Sequence, residues 1–448
     1  MPVYELLPPL HLAYVAGLLR ANDFDVSIID CIAEELSPED MFARINKISP
    51  DLIVSSTCTP TFVSDVQMTR RIKENFPEVK ICLFGTHVSV LPYEALRDKS
   101  VDFVAIGEAE KTVLELCQKL EEDGKNLSGV KGLGWKNGDE IKINEKRELI
   151  KNLDELPYPA RDLLPNVQYR PVIYKKLPFT TVYSSRGCPY DCIFCGSSIM
   201  FEKVWRPRSP ENVVAEVKHV MDDFGVKEIF FNDDIFTMSK ARTKKICQLL
   251  KELDSGMIWG CESRVDTLDK EMLDAMSEAG CYKITFGTES GSQFILDKMK
   301  KKVTVDQIRD VFKATKDAGI QANASFLMGM PWDTKETIME TIEFAKEIEP
   351  NHVQFCVATP FPGTELYEVA KEEGCLMGED WEMYDLHSPE GGVCRTKTLS
   401  IEDLSYYLKK AYKEFYFRPK RLLKALLEIR SPRQLYQYIR VGSTLLFE

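Results

Sequence analysis

The sequence has no apolar run long enough to cross a bilayer, and its N-terminus lacks the pattern of a signal peptide. A cytoplasmic protein is therefore expected. Basic residues are not in excess: 58 Lys and Arg stand against 70 Asp and Glu, for a net charge of -12. That balance favours solubility and argues against a nucleic-acid partner, whose phosphates want a basic face. There is no internal repeat and no low-complexity segment. The 13 cysteines are odd in number and lack framework spacing, which speaks against a disulfide-stapled secreted scaffold.

What is present is a chain of 448 residues, enough for two or three domains with a large core. The first part alternates β-rich apolar runs, at Phe24–Asp30, Asp51–Thr57, Lys80–Gly85 and Val101–Gly107, with amphipathic helical stretches such as Val63–Glu74 and Glu108–Leu120. Alternating βα units imply a doubly wound parallel sheet of the flavodoxin-like kind. The chain opens on a helix entered through Pro8–Pro9, where such a domain normally has a strand first. The sheet is therefore expected to lack its first strand, the sequence starting late. Two alternating runs around Asn137–Gly138 read as a hairpin, and residues 153–165 as a Pro-rich linker.

A second βα series begins at "FTTVYSS". Strand-like runs follow at Glu228–Asn232, Ile258–Ser263, Lys283–Gly287, Gln321–Met328 and His352–Val357, with helical patterns between them. Six units are too few for a closed eight-fold barrel, so an open partial barrel is expected, with its site at the C-terminal strand ends. The expected division is 1–125 doubly wound domain, 126–170 hairpin and linker, 171–375 partial barrel, and 376–448 a helical extension, aromatic and basic from about Ser400.

Most thiols, among them Cys31, Cys58, Cys82, Cys117, Cys247, Cys281 and Cys356, sit in apolar runs and read as buried small hydrophobes. Cys188, Cys192 and Cys195 differ. They share one short loop, "SSRGCPYDCIFCGSS", with Gly, Pro and Asp, directly after the first strand of the second series. Thiolates bind zinc or iron–sulfur clusters, and a structural zinc site wants four ligands. The next His and Cys, His219 and Cys247, lie within helical patterns. Three ligands leave one metal position open, as catalysis requires.

The C-x3-C-x2-C spacing, with Phe194 before the last Cys and a partial barrel around it, resembles the radical S-adenosylmethionine enzymes. The resemblance implies a [4Fe–4S] cluster on Cys188, Cys192 and Cys195, its fourth iron chelating S-adenosylmethionine, and cleavage of that cofactor to a 5′-deoxyadenosyl radical. It implies cofactor contacts at Asn232, Asp233 and Asp234 of "FFNDDIFT", which stands where the family often has Gly-Gly-Glu. Which of the three serves is open, and a helix-capping turn is the other reading. It further implies contacts at Arg264 of "CESRVD", which is otherwise a solvated arginine, at Glu289 and Ser290 of "FGTESGS", and at Gly329 of "FLMGMPWDT".

The first series is similar to the cobalamin-binding domain of one subgroup, which includes anaerobic porphyrin cyclases and cobalamin-dependent radical methyltransferases. The carrying pieces are "SSTCTPT", "FGTHVS" and "IGEAEKT" at strand ends. They imply cobalamin contacts at Thr57, Thr59, Gly85, Thr86, His87, Gly107 and Glu108. The Asp-x-His-x-x-Gly motif does not occur, so His87 reads as a neighbour of the macrocycle or its tail, not a cobalt ligand. The expected activity is methylation of an unactivated carbon of a small molecule, fed by an external one-electron reductant such as flavodoxin or ferredoxin. The alternatives are oxidative cyclisation or rearrangement, and, from another class, non-catalytic metal or corrinoid binding. A substrate cavity is expected between the barrel mouth and the cobalamin domain. The basic tail reads as a helical lid on the barrel in preference to a membrane-surface contact.

Overall fold

The computed structural model describes residues 6–122, 124, 126–384 and 392–422. Its first unit runs α1 (Leu10–Arg20), α2 (Pro38–Ile48), β1 (Leu52–Ser56), α3 (Phe62–Asn75), β2 (Lys80–Phe84), α4 (Thr86–Val90), α5 (Pro92–Arg97), β3 (Phe103–Ala105) and α6 (Ala109–Glu122). The hairpin β4 (Leu133–Asn137) and β5 (Glu140–Ile143) follows. The five strands form one sheet in sequence order, the first three parallel and the hairpin antiparallel along its far edge. The hairpin thus extends the first sheet. Gly138 takes the turn at φ 63°, which glycine adopts without steric cost.

The run Phe24–Asp30, expected as a strand, forms no strand and joins no ladder. In a doubly wound sheet it would pair with a strand lying between it and β1, and among the described residues no such strand exists. A β-rich run without a hydrogen-bonding neighbour remains a coil. β1 is accordingly an edge strand, and its residues are only partly buried. α1 is apolar nearly all round because it is covered on two sides. Val15 and Leu19 pack toward the sheet, whereas Leu10, Ala13 and Tyr14 pack against Ile150, Leu153, Leu156, Leu164 and Tyr169 of the linker.

The second unit runs β6 (Phe179–Val182), β7 (Ser185–Arg186), α7 (Ser197–Phe201), β8 (Arg206–Pro207), α8 (Pro210–Phe224), β9 (Glu228–Phe231), α9 (Lys240–Glu252), β10 (Ile258–Ser263), α10 (Lys270–Glu278), β11 (Cys281–Glu289), α11 (Gln293–Lys298), α12 (Val305–Asp317), β12 (Gln321–Met328), α13 (Lys335–Ile348), β13 (Val353–Val357), α14 (Glu365–Glu372) and α15 (Ile401–Tyr416). Six parallel strands stand in the order β13-β12-β11-β10-β9-β6, an open half-barrel. Strand alternation sends Ile229, Phe231, Trp259, Cys261, Ile284, Phe286, Ala324 and Phe326 outward into the main core under the helices. The intervening residues face the concave side.

α15 buries Leu404, Tyr407, Leu408, Ala411 and Phe415 against this core. Its tyrosines close the edge of β13. The Phe355 N–H donates to the Tyr412 hydroxyl (3.1 Å), which donates to the Phe355 carbonyl (3.0 Å). Tyr416 does the same for Val353 (3.0 and 2.9 Å). The basic stretch expected beyond 422, and 385–391 of "GEDWEMYDLHSPEGGV", lie outside the described residues. Of the cysteines expected in the core, Cys82, Cys247, Cys281 and Cys356 are buried, Cys31 and Cys117 are half-buried, and Cys58 is exposed at the turn after β1, where it contacts Thr61.

Candidate active site at the cysteine loop

β6 delivers the chain to the cysteine loop at the barrel mouth, and four separate parts of the protein hold that loop. Ahead of it, the Ser184 N–H and the Ser184 and Ser185 hydroxyls donate to Asp233, and the Gly187 N–H donates to Asp234 (3.0 Å). Within it, the Ile193 N–H donates to the Met299 carbonyl (3.2 Å), and the Leu366 N–H donates to the Ile193 carbonyl (2.9 Å). Asp191 pairs with Lys203 (2.7 Å) and Lys302 (3.1 Å). Phe194 packs half-buried beside Ile193, Met299, Met330 and Leu366.

Behind the loop lies a buried ion network that joins the two units. Arg186 donates to Glu108 (2.8 Å) and Glu110 (2.7 Å), and its guanidinium lies over the Tyr14 ring. Arg206 donates to the second oxygen of Glu108 (2.8 Å), which also accepts from the Ile150 N–H (2.8 Å). Burial pushes the Glu108 carboxyl up, but Arg186 and Arg206 outweigh it and hold the group below the ordinary carboxylate range.

The thiols themselves fit a cluster. Burial raises the Cys188 thiol and pushes Cys195 up to about 12, so the polypeptide alone keeps both protonated and iron would have to draw the protons off. Among the described residues no three His, Cys, Asp or Glu side chains converge as ligands of a single ion.

The other expected contacts divide. Asn232 lies at the mouth and donates to the Tyr183 hydroxyl (3.2 Å), itself hydrogen-bonded to His11 (3.0 Å). Asp233 is buried, and burial raises its carboxyl against the opposing pull of Arg242 and the serines. Its oxygens are occupied in shaping the approach to Cys188. Glu289 adopts φ 64° and pairs with Lys301 (2.7 Å). Ser290 is turned into the core against Thr341 (3.0 Å). Gly329 adopts φ 92°, and its N–H, like that of Met330, donates to Asp333 (2.9 Å each). Burial pushes Asp333 up to about 6.

On the cobalamin side, the turns after β2 and β3 are joined by Ser89, whose hydroxyl donates to the Gly85 carbonyl (2.7 Å) and accepts from the Gly107 N–H (2.9 Å). Gly107 fits an approaching macrocycle: φ is 76° and no atom lies within 4 Å of where a Cβ would stand. At Gly85 a Cβ would meet the Thr57 carbonyl at 2.1 Å, so this turn packs directly on the residue after β1. Thr57 is buried and its N–H is bonded to Phe84, whereas Thr86, half-buried, starts α4. His87 is enclosed: it stacks on Phe62 (3.9 Å), meets the edge of Trp381 (5.3 Å), and bonds to buried Thr59 (3.3 Å). Burial lowers its pKa to about 4. Glu108, Thr59 and His87 are therefore taken up by protein contacts.

A cavity of about 280 Å³ lies between the units. Ser89, Gly107 and Glu108 line one side. Ile199 and Met200 of α7, directly after the cysteine loop, line the other. Arg186, Tyr190, Lys301 and Ser89 were not singled out from the sequence. "CPYDC" and the Arg preceding Gly187 are the only local signals for any of them.

Comparison with known proteins agrees with this arrangement. The family profile described as the radical SAM superfamily matches residues 182–345, and that of the B12 binding domain matches 2–117. An uncharacterized methyltransferase of Pyrococcus horikoshii is 39% identical over 423 residues, covering 94% of this chain and 90% of the relative. An anaerobic magnesium-protoporphyrin IX monomethyl ester cyclase of Cereibacter sphaeroides is 26% identical, over 92% of this chain and 67% of the relative. Among solved structures, the cobalamin-dependent S-adenosylmethionine radical enzyme OxsB superposes with a TM-score of 0.76 at 19% identity, over 97% of this chain and 69% of that one. The chain belongs to the radical S-adenosylmethionine superfamily, in the group that carries a B12-binding domain. It is a radical S-adenosylmethionine enzyme whose cofactors are a [4Fe–4S] cluster, S-adenosylmethionine and cobalamin. Enzymes of this superfamily act on small molecules with an electron supplied from outside.

Proposed function

We propose that this enzyme methylates an unactivated carbon of a small polar molecule. The observation that carries the reading is the shared cavity, with the Gly107 turn on one wall and the segment after Cys195 on the other. Held by the residues named below, the cofactors would supply radical hydrogen removal from the substrate and a methyl group for the same carbon. The chain holds and shields the reactants. Cys188, Cys192 and Cys195 hold the iron, Asn232 and Glu289 stand at the mouth for S-adenosylmethionine, and Gly107 leaves room for the corrin. α4 and α7, whose Val90 and Ile199 both lie beside Gly363, would help to shield the reactants from water.

The polarity of the substrate is read from the concave face. Register places Glu262, Thr285 and Asn323 in one row across β10, β11 and β12, with Ser325 and Gln354 in the next. The Asn323 amide oxygen is buried with no hydrogen-bond partner, a position suited to a donor on a bound molecule. A flavodoxin or ferredoxin is the proposed electron donor. Membrane contact is not part of the reading, because the apolar face of α15 is already covered by the barrel and no described helix is long and apolar enough to cross a membrane.

Anaerobic incubation with methyl-labelled S-adenosylmethionine tests the activity, and label in the product is the expected outcome. A product that gains oxygen or a ring without added carbon supports cyclisation, the reading favoured by the Cereibacter relative. Failure of reconstituted protein to release 5′-deoxyadenosine under a strong reductant supports a binding protein. Replacing all three loop cysteines by alanine is expected to lower iron from about four per chain to near zero and to abolish cofactor cleavage.

A further inference from the structure

Arg264 follows β10 with its side chain 5% exposed. A guanidinium has five N–H donors, and their directions fix what else it can bind. Nε and Nη2 form a two-pronged pair with Asp266 (3.0 Å each). The second N–H of Nη2 reaches the Lys301 carbonyl (2.8 Å). Nη1 points at the Cys192 sulfur (3.7 Å), and the guanidinium plane lies over the Tyr190 ring, 3.6 Å from its centroid. Only one N–H remains. The fork that would grip a carboxylate of S-adenosylmethionine is already closed on Asp266.

We propose that Arg264 is a positioning residue of the metal centre: it holds the Cys192 sulfur and places a fixed positive charge beside it, rather than gripping the cofactor's carboxylate. The proposal rests on Cys192 being a cluster ligand. Tyr190 covers the guanidinium and keeps water from it. Asp266 orients the fork and, being negative, offsets part of its charge. Lys301 passes the constraint on, since its carbonyl holds Arg264 while its ammonium holds Glu289.

Reduction adds an electron to the cluster, so a neighbouring cation favours the reduced form and an anion opposes it. The test is an anaerobic redox titration followed by electron paramagnetic resonance on wild type, Arg264→Gln, Arg264→Lys and Asp266→Asn. Iron content and S-adenosylmethionine affinity are measured on the same samples. The expected midpoint potential falls in Arg264→Gln, falls less in Arg264→Lys, and rises in Asp266→Asn. Affinity in Arg264→Gln drops by less than about tenfold, or about 1.4 kcal/mol. An unchanged potential in a fully loaded Arg264→Gln overturns the proposal, as does a larger loss of affinity. If Arg264→Gln does not take up iron, Asp266→Asn decides: a higher potential supports the proposal, and an equal or lower one overturns it. A wild-type protein without a cluster would instead overturn the assignment of Cys192 on which the proposal rests.

Discussion

His87 shows how a residue type suggestive of ligand binding can serve the core instead. Its ring lies between Phe62 and Trp381, and burial holds its pKa near 4, against 6.5 for a free histidine. The folded-state value is the lower one, so folding favours the neutral ring. That stability is fully present above pH 6.5 and is lost as pH falls toward 4. The shift corresponds to about 3 kcal/mol across the window. Urea unfolding at about pH 7 and about pH 4.5 should show the loss in wild type and a flatter profile in His87→Gln. The cysteine triplet, by contrast, stands out in the sequence because its whole pattern lies within eight consecutive residues, and the family it points to is the one the chain belongs to. Glu108 was not readable, because its partners Arg186 and Arg206 stand 78 and 98 positions away. A carboxylate after a strand looks the same in sequence whether it awaits a cofactor or already holds two arginines.

Among the elements, the barrel strands were legible because apolar residues alternate along them and turn signals follow. The same kind of pattern failed at Phe24–Asp30. β-rich composition describes one strand, whereas a ladder needs a second beside it, and here the neighbouring position is empty among the described residues. The β13 edge of the half-barrel, in the other sheet, shows another solution to an unpaired strand. Tyr412 and Tyr416 of α15 each satisfy both main-chain groups of one β13 residue. Tyr412→Phe and Tyr416→Phe should each cost about 1 to 2 kcal/mol in chemical denaturation, because they strand buried N–H and C=O groups that α15 still shields from water. Substitution of Tyr406, which is 60% exposed on the same helix, should leave the midpoint unchanged.

At the scale of the whole molecule, Arg186 and Arg206 anchor the cysteine loop to Glu108 and Glu110 of the first unit. Arg186→Met leaves two buried carboxylates short of a partner and is expected to destabilise by about 3 to 5 kcal/mol. Glu108→Gln should lower the thermal unfolding temperature of cobalamin-free protein by several degrees, a change that a residue serving only the corrin would not produce. In the double variant the two losses should sum to more than the measured total, since both remove one shared contact.

The four-way hold on residues 184–195 has a consequence for upkeep. Asp233, Asp234, Met299, Leu366 and the Glu108 pair hold that stretch through protein contacts, so its fold is expected to outlast loss of the inorganic core. Air that strips the iron should leave behind an intact empty socket. Recharging with ferrous ion and sulfide under nitrogen would then proceed without refolding, so damaged molecules could be salvaged and need not be made anew.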